Sequence, residues 1–191
     1  MRQSHYTAIY DANVLYPAPL RDFLMRLALT GTYRARWSAQ IHDEWKRNLL
    51  RNRSDLTQEQ LDRTSALMDA AIPDAVVSDY ESLIAGLELP DKDDRHVLAA
   101  AIKCHASAIV TFNLKDFPNA ALAPFAIEAM HPDEFIADLW DLDAAAVLEA
   151  AQRHRRALKN PPHDAQLYLD KLLQQQLPET VQRLGDFKYL I

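Results

Sequence analysis

Up to about residue 130, short unbroken apolar runs alternate with longer segments whose apolar positions recur every three or four residues. A buried strand followed by an amphipathic crossover helix gives this alternation, so the pattern predicts an α/β fold with a parallel sheet. Strands are predicted at about 5–11, 34–37, 75–77, 107–111 and 125–129. Helices are predicted near 18–30, 39–52, 57–71, 79–85 and 92–105. Thr57 with Gln60 predicts a capping box, in which hydroxyl and amide reciprocally satisfy N–H groups that a helix start leaves unpaired. Pro73 is expected to close that helix, and Gly86 to Pro90 interrupts the pattern before an acidic helix.

Beyond Ile127 the pattern turns wholly helical. Pro132 is suited to a first helical turn, and Asp143 is placed to cap a further helix from Ala144 to about Lys159. Asn160-Pro161-Pro162 ends it, and 164–176 and 179–184 read as two more helices. Leu167, Leu169, Leu172, Leu173 and Leu177 mark an apolar side that must pack. The expected organisation is therefore a sheet domain over 1–131 and an α-helical C-terminal extension over 132–191.

Composition narrows the function. Apolar runs fall far short of a membrane span, and Met1-Arg2-Gln3-Ser4-His5 leads into a strand pattern rather than a signal peptide. The lone Cys104 excludes an internal disulfide and a cysteine zinc site, and a reducing, cytoplasmic setting is expected. Three glycines leave no Gly-rich phosphate loop. The net charge of -6 argues against indiscriminate coating of nucleic acid. Its distribution is uneven, however: residues 1–53 hold nine Lys/Arg against four acids, and the remainder twelve against 23. The basic bias of the N-terminal part is a footprint for phosphates, with Arg34, Arg36, Lys46 and Arg47 as candidate contacts.

Four acids stand at the ends of buried-looking elements: Asp11 after the first strand, Glu44 early in the helix opened by Ser38, Asp94 before Val97-Leu98, and Asp116 after the fourth strand. In open α/β sheets, ligands sit beyond the carboxyl ends of the strands. At 100° per residue with Val97 as origin, the apolar stripe of its helix centres near 70° and Asp94 falls near 60°, pointing inward. Glu44 and Asn48 lie along the edge of the Ile41, Trp45 and Leu49 stripe. His96 points elsewhere on its helix and reads as structural or adjacent to substrate. Carboxylates gathered at one rim repel one another and call for a cation. Oxygen donors without cysteines or paired histidines favour Mg²⁺ (or Mn²⁺) over zinc. The constellation reads as a metal-dependent enzyme acting on phosphates. No Ser-His-Asp order or nucleophile elbow supports acyl transfer.

Asp11-Ala12-Asn13-Val14-Leu15, the Ser38-initiated helix with Glu44, the Asp94 to Ala101 segment, and Val110-Thr111 with Asn113, Asp116 and Phe117 together resemble the PIN-domain family of nucleases. The likeness covers about 5–130 and is nearest the VapC-type toxins of bacterial toxin–antitoxin pairs, in the branch with a helical C-terminal extension. It implies a PIN-like parallel five-stranded sheet flanked by helices and an endoribonuclease that hydrolyses RNA phosphodiesters. By the resemblance Asp11, Glu44, Asp94 and Asp116 are the catalytic acids, and Asp11, Asp94 and Asp116 the metal ligands. Asn13, Thr111 and Asn113 would supply supporting hydrogen bonds. Many relatives carry Asp where this chain has Asn113, so whether Asn113 or Asp116 fills the fourth place stays open, as does the choice of one metal or two. A cognate antitoxin is the implied protein partner, and homodimers are common among such proteins. Two rivals remain: a non-catalytic binding or regulatory module on this fold, and a haloacid-dehalogenase-type phosphatase, which needs an Asp where Asn13 stands.

Overall fold

A computed structural model describes residues 6–191; the predicted first strand residue, His5, lies outside the described residues. The chain divides into two compact units. One joins the segment ending at Tyr16 to Tyr33–His131, and the other joins Pro17–Thr32 to Pro132–Ile191.

The first unit is built on a five-stranded sheet, every pairing of which is parallel. Its strands are β1 (Thr7–Tyr10), β2 (Arg34–Ser38), β3 (Val76–Val77), β4 (Ala108–Val110) and β5 (Glu128–Met130), in the order β3-β2-β1-β4-β5. Ile9 lies opposite Arg36 on one side and Ile109 on the other. The central strand β1 is buried throughout, which requires cover on both faces and explains why its sequence is a continuous apolar run. Helices α3 (Ala39–Asn52), α4 (Gln58–Ala71) and α6 (Arg95–Lys103) flank the sheet, with α1 (Ala12–Leu15), α5 (Glu81–Ile84) and α7 (Asn119–Leu122) as short connectors. The Thr57–Gln60 capping box is present at the start of α4.

The second unit is helical. It contains α2 (Ala18–Ala28), α8 (Pro132–Ala157), α9 (Ala165–Gln174) and α10 (Pro178–Gly185). The helical stretch from Pro132 is broken at Asp143, whose backbone leaves helical geometry while its carboxylate accepts from Ala146 N at 3.0 Å. Asp133 fixes α10, accepting from Glu179 N, Thr180 N and the Thr180 hydroxyl at 2.7–2.8 Å. No helix among the described residues is long and apolar enough to cross a membrane.

The fold class is the expected one. The start of the fifth strand moved for a local reason. The fifth strand starts at Glu128 rather than near 125, because Ala123–Phe125 forms a 3-10 turn and Ala126 adopts a left-handed conformation. The helix at 18–30, read as part of the sheet domain, clusters with the C-terminal helices instead.

Candidate active site

Crossover helices run back against the strands, so the starts of α3 and α6 share the carboxyl edge of the sheet with the segments after β1 and β4. Four chain segments distant in sequence therefore deliver side chains to one rim. Ser38 ends β2 and caps α3, its hydroxyl accepting from Ile41 N at 3.2 Å. Glu44 follows within two turns. Asp94 is the N-cap of α6, yet its side chain makes no capping hydrogen bond and is left to the rim.

Asp11 caps α1 and is 3% exposed. One carboxylate oxygen accepts from Ala12 N at 2.6 Å; the other accepts from Asn13 Nδ2 at 2.6 Å and the Thr111 hydroxyl at 2.7 Å. Asn13 Nδ2 also reaches Thr111 Oγ1 at 2.9 Å, and Asn13 Oδ1 accepts from Phe112 N at 3.1 Å. Asn113 N donates to Thr111 Oγ1 at 3.0 Å. Asn13, Thr111 and Asn113 thus tie the turn after β1 to the turn after β4.

Sharing Asn113 with this network is a cavity of about 610 Å³ lined mainly by polar groups, among them Glu44, Asp94 and Asp116, with Arg47 and His96; Asp11, Asn13 and Thr111 do not line it. Asp91, Lys92 and Asp93 form another part of its wall. Asp94 is pushed up to about 7, first by burial and then by the negative charges of Asp11, Asp91, Glu44 and Asp116. Burial raises Asp11 to about 6; the Thr111 hydrogen bond opposes this and the Glu44 charge adds to it. Three of the sequence-predicted acids, Asp11, Glu44 and Asp116, therefore bear on Asp94, and Glu44 bears on Asp11 as well. A divalent cation would relieve both the repulsion and the burial of charge.

The donor set, all oxygen and mostly carboxylate, fits a hard cation such as Mg²⁺ or Mn²⁺. Among the described residues, no three His, Cys, Asp or Glu side chains are gathered closely enough to cage an ion as they stand. An open arrangement of this kind suits Mg²⁺, which keeps several of its waters and takes only one or two carboxylates directly.

The predicted cations separate. Arg47 lines the carboxylate cavity and a neighbouring one of about 430 Å³ that Lys46 and Arg51 also line. Lys46 is occupied by Asp62 at 2.8 Å and Asp43 at 3.3 Å. Arg34 and Arg36 sit on β2 level with Thr7 and Ile9, four and two residues before its last residue Ser38, and do not line the cavity.

His96, expected to point elsewhere on its helix and to be structural or adjacent to substrate, lines the same cavity as Asp94. It is 3% exposed, and its Nε2 lies 3.2 Å from Glu44 Oε2. Every residue from His96 to Ala101 is buried, so this stretch of α6 has no solvent face on which a polar residue could be sorted. The unbroken run Val97 to Ala101 is the signal of such an all-round buried stretch.

The fold and its rim of acids define the class. Residues 7–115 match the PIN domain family, more than half of the chain, and the chain belongs to that family. Residues 132–186 match the VapC50 C-terminal domain. A Mycobacterium tuberculosis protein designated a ribonuclease, VapC50, is 44% identical over 96 residues, which cover 50% of this chain and 56% of that relative. The match thus spans about half the length of each protein. No solved structure matches the chain.

Proposed function

We propose that the chain is a divalent-metal-dependent endoribonuclease and the toxin of a toxin–antitoxin pair, working in the cytoplasm. The observation that carries the reading is the convergence of negative charge from Asp11, Glu44 and Asp116 on Asp94, with Glu44, Asp94 and Asp116 lining one polar cavity. The ribonuclease designation of the M. tuberculosis relative supports RNA as the substrate, and the match to a VapC50 C-terminal domain supports a cognate antitoxin as partner.

A Mg²⁺ or Mn²⁺ ion, when bound there, would supply neutralisation of the scissile phosphate and a lowered pKa for the attacking water. Asp11, Asp94 and Asp116 would hold it in this reading, one or two of them directly and the rest through its waters. Thr111, Asn13 and the Ala12 N–H hold the Asp11 carboxylate in one orientation, so its reorganisation during the reaction is small. Glu44 orients the water for in-line attack. Arg47, at the mouth shared by the two cavities, contacts the RNA backbone.

Cleavage of a single-stranded RNA by the purified chain tests the reading. The parent should cut only when Mg²⁺ or Mn²⁺ is present, and Asp11→Asn should not cut while retaining the parental circular dichroism spectrum. Parental cleavage in EDTA, or by Asp11→Asn, refutes it. For the toxin role, induced expression should arrest growth, and co-expression of an adjacent small open reading frame should relieve the arrest.

A further inference from the structure

We infer that His96 is a positioning residue that fixes the Glu44 carboxylate toward the cavity; this rests on the nuclease reading of the site. Glu44 springs from α3 and His96 from α6, 52 residues apart, and their side chains meet at 3.2 Å. Both line the carboxylate cavity.

The two partners differ in freedom. Glu44 is a long side chain, 27% exposed, which would sample several rotamers if untethered. His96 is 4% exposed at its side chain and lies in the stretch His96–Ala101, buried at every residue, so its ring is confined by packing. The rigid partner therefore sets the position of the flexible one. A carboxylate only accepts hydrogen bonds, so the imidazole nitrogen facing it must carry the hydrogen. His96 Nδ1, at the far side, is buried and has no hydrogen-bond partner among the described residues. The ring makes one polar contact, and that contact is spent on Glu44. His42 behaves differently: its Nε2 meets Asp69 at 2.9 Å and its Nδ1 accepts from Trp45 at 3.0 Å. Both nitrogens of that ring serve packing, as expected of a core histidine, and those of His96 do not.

The test uses the full chain with Mn²⁺ and an RNA oligonucleotide. His96→Phe keeps a ring and removes the donor; it should lower kcat about 10- to 100-fold with little change in KM. His96→Gln, whose amide can donate, should recover most of that loss. In a Glu44→Gln background, adding His96→Phe should cost less than about twofold, because two residues acting as a unit do not multiply. A ring needed only for packing would lower activity in both backgrounds and would not be rescued by glutamine. Nitrogen-15 spectra of the parent, which need no variant, should place the His96 hydrogen on Nε2. Parental cleavage by His96→Phe, multiplying losses in the double variant, or the hydrogen on Nδ1 would each overturn the inference. If His96→Phe cuts normally while Asp94→Asn does not, the inference alone fails; if Asp94→Asn also cuts, the nuclease reading fails with it.

Discussion

The Thr111 hydroxyl donates to Asp11 at 2.7 Å across a sequence separation of 100 residues. The same oxygen accepts from Asn13 and from the backbone of Asn113, so its one donor and two acceptor positions are all in use. This single atom holds the strand-end carboxylate and both turns that flank it.

Thr111→Val keeps the shape and removes all three bonds. Thr111 is fully buried, so each group left unpaired should cost about 1–3 kcal/mol, read as a lower urea midpoint. Nuclease activity should fall by about 10- to 100-fold, and Thr111→Ser should restore most of both. A valine variant with parental stability and activity would remove Thr111 from the site.

Asp94 is a liability to the metal-free protein. Its carboxyl is raised to about 7 in the fold, so its favourable contribution is present below the ordinary carboxylate range and is lost as pH climbs through 7. In EDTA at pH 8, Asp94→Asn should therefore melt above the parent, and the difference should vanish near pH 4. A variant that melts below the parent at pH 8 would show that Asp94 is a structural anchor.

Arg47 and Lys46 are neighbours with opposite expectations. Arg47→Ala should weaken RNA binding and reduce the salt slope by about one. Lys46→Ala should change RNA affinity little, since Asp62 and Asp43 already hold its ammonium. Filter binding across a salt series separates them, and equal losses would argue against the path past Arg47.

His154, 1% exposed in the helical unit, stacks on Phe23 and meets the Tyr168 hydroxyl at 3.1 Å. Burial lowers it to about 4, an effect the Asp22 charge opposes. Its contribution is complete above the ordinary histidine value and drains away as pH falls toward 4, by about 3 kcal/mol at roughly 1.4 kcal/mol per unit. His154→Phe should flatten the acid limb of a stability-against-pH curve; an unchanged limb would contradict this origin.

The sheet was legible because its strands are short apolar runs between helical patterns, and Asp94 because one carboxylate broke an apolar stripe. What escaped the sequence depends on contacts between distant segments. Lys46 reads as a free cation until α4 brings Asp62 to it. Asp133 reads as an ordinary first-turn acid, yet it caps α10, 46 residues on. The contact of His96 with Glu44 depends on two helices meeting 52 residues apart. Four-residue α1 is too short to have a period, and only the Asp11 cap marks it.

The central claim is that the rim of acids binds a divalent cation through Asp94. Calorimetric titration of Mn²⁺ into the metal-free parent and into Asp94→Asn tests it most directly. Binding to the parent, lost or weakened at least about tenfold in a folded Asp94→Asn, is the expected result. No heat in the parent, or equal affinity in both proteins, would contradict it.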